Sequence, residues 1–226
     1  MALPNYFESA QSALQRTLPN AQLEISTLED TGGLQLGLIN ADFPTGPLPA
    51  EVMHAVIACP AYWAFCWGSG LATAQWIHTH PELVADKRIG DLGCGSGVVA
   101  ISAALHGADV SYACDIDPDA MLVTQANAQL NQVGLEYTAD IQALPDDLDV
   151  LFLADVLYDR SNFALIEAAK QKAQLLIIAD SRVADVEDRD FEIVHTAQAL
   201  TYPNLGEFDE FKCVRFFVYP PHQLLA

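Results

Sequence analysis

The chain has 226 residues, 51% hydrophobic and 18% charged, a size and balance for one well-buried domain with a modest extension and far from the disordered class. Thirty acidic residues against ten basic ones give a net charge of -20, which repels a phosphate backbone and excludes nucleic acid as a first-choice partner. Cys59, Cys66, Cys94, Cys114 and Cys213 are odd in number and lack C-x-x-C spacing, which argues against a disulfide framework or a zinc knuckle and fits a reduced cytoplasm.

The first residues lack the basic and apolar regions of a signal peptide. Phe7, Ala10, Leu14 and Leu18 recur at helical spacing and predict a helix over 7–17. Alternating residues at 23–26 and 34–38, with Asp30-Thr31-Gly32-Gly33 between them, predict a hairpin. A proline-rich linker at 43–49 follows, and Pro49 can open a short helix to about Ala58. Residues 1–60 therefore form an N-terminal extension, and 61–226 the main domain. Val52 to Ile77 carries no Lys, Arg, Asp or Glu, but Pro60 and Gly68-Ser69-Gly70 break it into pieces too short to span a bilayer. His78 and His80 have no acidic or thiol ligand at a recognisable spacing, so no metal is expected.

From Arg88 onward short strands alternate with amphipathic helices, the pattern of βαβ units in a mostly parallel sheet. Strands are predicted at about 88–92, 109–114, 135–139, 149–154, 174–179, 191–196 and 212–219. The fold class is α/β, a doubly wound Rossmann-like sheet of seven strands. The charged run 185–190 reads as a solvated turn.

Asp91-Leu92-Gly93-Cys94-Gly95-Ser96-Gly97 joins the first sheet strand to a helix starting near Val98. Glycines there let the chain turn tightly and approach a ligand, and the helix start offers free N–H groups. The spacing is G-x-G-x-G, with Val98 where a dinucleotide fingerprint has its third glycine, so a nicotinamide or flavin cofactor is disfavoured. Asp91 would repel a pyrophosphate but suit a ligand with an amino group. Asp115, in Cys114-Asp115-Ile116-Asp117-Pro118, lies about twenty residues after the glycines, where a carboxylate can accept ribose hydroxyl protons.

These two motifs resemble motif I and the acidic loop of class I, seven-strand methyltransferases. That resemblance implies S-adenosyl-L-methionine as cofactor, with Asp91, Gly93, Gly95 and Gly97 near its methionine part, Asp115 near its ribose, Asp140 and Ile141 near its adenine, and Ile116 also among the cofactor-binding residues. Tyr62-Trp63-Ala64 with Trp67-Gly-Ser-Gly70, and Ala154-Asp155-Val156-Leu157-Tyr158 after the fourth strand, are similar to the family-16 protein lysine methyltransferases, above all the branch acting on the β-subunit of electron-transfer flavoprotein. The resemblance implies that Asp155 and Tyr158 sit at the methyl-transfer centre and that Trp67 and Ala154 border the cofactor. The glycine loop itself is nearer to that of ribosomal-protein lysine methyltransferases, a family without the Asp-x-x-Tyr. No Asn/Asp-Pro-Pro-aromatic motif of base or glutamine methylation is present, since Val156 and Leu157 follow Asp155.

The implied function is a protein lysine N-methyltransferase, monomeric and cytoplasmic, with a protein substrate resembling that flavoprotein subunit or carrying another basic segment, and with neither nucleic acid nor membrane as partner. Two alternatives stay open: a small amine or nicotinamide-like heterocycle as acceptor, and a non-catalytic cofactor-binding interaction protein.

Overall fold

The computed structural model describes residues 5–186 and 190–221, so Glu187, Asp188 and Arg189 of the expected charged turn lie outside the described residues. The N-terminal part holds α1 (Asn5–Thr17), β1 (Leu23–Thr27), β2 (Gln35–Ile39) and α2 (Ala50–Ala58). Then come α3 (Gly68–Thr79), β3 (Arg88–Leu92), α4 (Val98–Leu105), β4 (Val110–Cys114), α5 (Pro118–Leu130), β5 (Glu136–Thr138), β6 (Leu148–Ala154), α6 (Ala164–Lys170), β7 (Ala173–Asp180), β8 (Glu192–Gln198) and β9 (Cys213–Tyr219).

Seven strands form one sheet in the order β5-β4-β3-β6-β7-β9-β8. The first five are parallel, and β9 runs antiparallel between β7 and β8. Both faces of the sheet are covered, so its central strands are apolar throughout rather than alternating. Along β6, Val150 and Phe152 face a core shared with α3 and α4, while Leu151 and Leu153 face one shared with α6. The chain winds outward in opposite directions from β3 and β6, and that reversal opens a crevice at the carboxyl ends of these two strands.

The hairpin β1–β2 pairs from Leu23↔Ile39 to Thr27↔Gln35. Asp30, Gly32 and Gly33 turn it with φ of 57°, 75° and 89°. The extension shares a core with the main domain, in which Leu14 and Ile39 meet Trp63, Ala120 and Val123. Its attachment is also polar. The Asn127 side chain accepts from Gly37 N at 2.7 Å and donates to Ser96 O at 2.8 Å, so one amide joins β2 to the glycine loop. Asn131 accepts from Gln35 N and donates back to Gln35 O, as a neighbouring strand would.

Val52–Ile77 is divided as expected into two short helices, α2 ending before Pro60 and α3 opening at Gly68-Ser69-Gly70. Close approach calls for glycine at the start of α3: a Cβ on Gly68 would stand 2.9 Å from Ala199 O. Among the described residues no helix is long and apolar enough to cross a membrane.

Candidate functional site

The glycine loop leaves β3 at the crevice with φ of 74° at Gly93, 52° at Gly95 and 81° at Gly97, a region that favours glycine. Space demands it too, since a Cβ on Gly93 would come within 2.7 Å of Val156 Cγ2 and one on Gly97 within 2.7 Å of Thr124 Cγ2. Gly93 N and Cys94 N donate to Cys114 O, which ties the loop to the end of β4. Asp115 follows directly, and its Oδ2 accepts from Gly95 N at 2.9 Å while its Oδ1 accepts from Asp117 N at 2.9 Å. The two motifs that the sequence separates by twenty residues therefore meet through a hydrogen bond. Burial pushes the Asp115 carboxyl above its ordinary range, with the backbone donors pulling it back.

A cavity of about 680 Å³ lies against this loop. Gly93, Gly95, Asp115 and Ile116 line it together with Asp140 and Ile141 and with Trp67, Ala154, Asp155 and Tyr158. Ile116 is 87% exposed, an apolar side chain offered to the open space as a platform for a flat ring. Asp140 is also a local cap, accepting from Gln142 N at 2.8 Å.

Asp91 and Gly97 do not line the cavity. Asp91 is buried behind the loop, where its Oδ2 accepts from Ala100 N at 3.0 Å and so serves the first turn of α4. Burial pushes its carboxyl up to about 7, and the nearby Asp115 charge adds to that, against the hydrogen bond from Ala100. Gly97 is the residue before α4, a turning point more than a contact.

Asp155 lines the cavity but is nearly closed to solvent. Asp155 has φ 55°, and its side chain is only 7% exposed. Ser69 holds both oxygens at the start of α3, the backbone N–H on Oδ2 and the hydroxyl on Oδ1, each at 2.7 Å. Arg182 Nη1 stands 3.7 Å from Oδ1. Burial pushes the Asp155 carboxyl up to about 6, opposed by the Ser69 hydrogen bonds and by Arg182, with Asp180 adding repulsion. Asp155 is thus a helix-capping carboxylate at the cavity wall.

Tyr158 is 56% exposed and packs on Tyr62 with ring centroids 5.4 Å apart. Tyr62 packs in turn against Trp67 at 5.9 Å, and Trp67 Nε1 donates to Tyr62 O at 2.8 Å. These three rings form an aromatic rim. Sequence reasoning passed over Ser69 and Arg182; the first stands inside the quoted tryptophan–glycine motif, whereas nothing local marks the second.

The chemistry of the lining is lopsided. Among the described residues four carboxylates, Asp115, Asp117, Asp140 and Asp155, stand against one cation, Arg182. A phosphate-bearing ligand is repelled, while a ligand carrying positive charge, hydroxyls and a flat heterocycle suits the donors, acceptors and apolar platform present.

A family model described as ribosomal protein L11 methyltransferase (PrmA) matches residues 60–179. The electron transfer flavoprotein beta subunit lysine methyltransferase of Danio rerio is 40% identical over 103 residues, which are 44% of this chain and 40% of that protein. The ribosomal protein L11 methyltransferase of Acinetobacter baylyi is 31% identical over 207 residues, 80% of this chain and 67% of that protein. The match therefore spans well under half of the zebrafish relative. In fold, the chain is similar to magnesium protoporphyrin IX methyltransferase from Synechocystis solved with bound SAM, with TM-score 0.51 and 20% identity over 76% of this chain and 84% of that one. With its central 60–179 matched by the family model and two thirds of the Acinetobacter protein aligned to it, the chain belongs to the ribosomal protein L11 methyltransferase family.

Proposed function

We propose that this chain is an S-adenosyl-L-methionine-dependent N-methyltransferase acting on lysine side chains of a protein. The observation that carries the reading is the cavity itself, where a glycine loop hydrogen-bonded to Asp115 faces an acidic lining with one arginine and an aromatic rim. Asp115 would take the ribose hydroxyls, Ile116 and Ile141 would flank the adenine with Asp140 at its edge, and Gly93 and Gly95 would bring backbone close to the methionine part. Gly97 and Asp91 would act from behind, by holding the start of α4. When bound, the cofactor supplies a methyl group on a positively charged sulfur.

For the chain's own residues the task is alignment, which supplies up to ~7–11 kcal/mol when reacting groups are held in line. A lysine with pKa about 10.4 arrives mostly protonated. The rim of Tyr62, Trp67 and Tyr158 can strip water from its alkyl stem, and the Tyr158 hydroxyl can accept a hydrogen bond from the amine. Asp155 is cast as a positioning carboxylate that fixes α3 and lends negative potential to the wall, because Ser69 already occupies both its oxygens. The proton of the ammonium leaves to water at the open mouth.

The names of the two relatives, one a lysine methyltransferase of a flavoprotein subunit and one a methyltransferase of a ribosomal protein, support a protein acceptor. The net charge of -20 favours a basic segment around the target lysine, whether on a flavoprotein subunit of that kind or on another protein. The reading includes a monomeric, cytoplasmic enzyme with an appendage at 1–60 and a catalytic domain at 61–226. Incubating the protein with radiolabelled S-adenosylmethionine in lysate from a strain lacking it tests the proposal. A labelled protein band whose label maps to lysine supports it. Label confined to small molecules, or no label, overturns it.

A further inference from the structure

Among the described residues Arg182 is the one cation lining the cavity, and its surroundings are built rather than incidental. At the end of β7, Asp180 Oδ1 accepts from Arg182 N at 2.7 Å and from Val183 N at 2.9 Å, which fixes the turn that carries Arg182. The guanidinium then lies 5.7 Å from the Trp67 ring centroid and 4.8 Å from that of Phe211. Its Nη2 meets Glu207 Oε1 at 3.0 Å while Nη1 faces Asp155. Glu207 spends its other oxygen on Thr201 N at 2.7 Å. Nearby, Cys66 and Tyr202 exchange both backbone hydrogen bonds, at 2.8 and 2.7 Å. The segment following β8 is therefore fastened to the approach of α3 at two places, one main-chain and one through Arg182.

We propose that Arg182 is a positioning residue for the methyl acceptor, tying Asp155 and the start of α3 to Glu207 in the segment after β8 and so fixing the wall that receives the amine. The inference rests on the methyltransferase reading of the same cavity and deepens it. A planar guanidinium can serve two carboxylates and stack on two rings at once, whereas an ammonium offers only a point charge. The groups facing Asp155 come from every neighbouring element: the Ser69 hydroxyl and N–H on α3, Asp180 at the end of β7, Arg182 itself, and the Cys66 thiol, which burial keeps neutral. Among these Arg182 brings positive charge, so it adds to the Ser69 hydrogen bonds in favouring the Asp155 carboxylate and counters part of the Asp180 repulsion.

Arg182→Gln and Arg182→Lys in the full chain test the role with two readouts. The first is the carboxyl carbon shift of Asp155, titrated by NMR in the protein without ligands; the second is acceptor KM alongside cofactor Kd. The wild type should titrate near pH 6. Arg182→Gln should move that midpoint upward, and Arg182→Lys should return it most of the way. Acceptor KM should rise about tenfold or more in both, because neither variant keeps the fork, with cofactor Kd held within about twofold. An Arg182→Gln protein with an unmoved midpoint and wild-type KM overturns the proposal. So does an equal loss of acceptor and cofactor binding, which marks general disorder of the site. If the wild type methylates no protein although the midpoint shifts as expected, the function reading has failed, and the acceptor role falls with it while the Asp155–Arg182 tie stands.

Discussion

Replacing Ser69 by alanine isolates the junction between α3 and the end of β6. Ser69 is fully buried, and its hydroxyl lies 2.7 Å from an Asp155 oxygen that has almost no access to water. A hydrogen bond to a charged group is worth about 1.5–3 kcal/mol, and the backbone N–H on the other oxygen persists in the variant. At about 2–4 °C per kcal/mol for a chain of this size, the melting temperature near pH 8 should fall by about 3–12 °C. The loss should shrink near pH 4.5. There Asp155, with its midpoint pushed up to about 6, is protonated, and the missing bond is an ordinary neutral one worth about 0.5–1.5 kcal/mol. The sign follows from linkage: removing a donor that favours the carboxylate raises the folded-state pKa further above its unfolded value, so the added loss develops as pH climbs through 6 and is absent below 4. Calorimetric melts of wild type and Ser69→Ala at both pH values measure it. A loss under about 0.5 kcal/mol, or one equal at the two pH values, refutes the capping argument.

Asp115→Ala should weaken S-adenosylmethionine binding at least tenfold, about 1.4 kcal/mol, by titration calorimetry with the fold retained by circular dichroism. Asp91, pushed up to about 7 by burial, keeps its proton in the folded chain where the unfolded chain has released it, so its stability contribution is complete below about pH 4 and lost as pH rises through 7. Asp91→Asn keeps an acceptor for Ala100 N–H but cannot ionise, and its urea midpoint should fall less between pH 5 and 8 than that of the wild type. Methylation of a basic protein segment should slow as salt approaches 0.15 M, where the Debye length is ~8 Å, and a flat response would point away from a basic acceptor. Tyr158→Phe should raise acceptor KM only modestly if the ring lines the channel, and reduce kcat as well if the hydroxyl meets the amine.

What the sequence displays is what local rules encode. Short apolar runs spaced by amphipathic helices place all the strands of the main sheet to within a residue or two, and the hairpin follows from its turn residues. The glycine loop and Asp115 are legible because a strand–turn–helix unit followed by a second strand end fixes their separation. Side-chain pairing across the sheet is not encoded in this way. Ser69 and Asp155 are 86 positions apart, and Asp155 carries the same letter whether it awaits an amine or caps a helix. Arg182 sits in an unremarkable turn, and its meaning depends on Glu207 arriving from beyond β8. Asp91 illustrates a finer limit, since its position at the strand end is readable but the direction of its carboxylate, toward Ala100 N, depends on how α4 docks.

The amides of Asn127 and Asn131 have a consequence for assembly. A bare hairpin presents an outer row of unpaired peptide groups that invites strand addition from another molecule. Here the Gln35 N–H and C=O and the Gly37 N–H are already answered by the side chains of Asn127 on α5 and of Asn131 just past its end. A strand pairing at Gly37 would have to evict Asn127, which also holds Ser96 O in the glycine loop, so strand addition there would loosen that loop. A ligand that steadies that loop should therefore also steady Asn127 and guard the hairpin at Gly37 against misassembly.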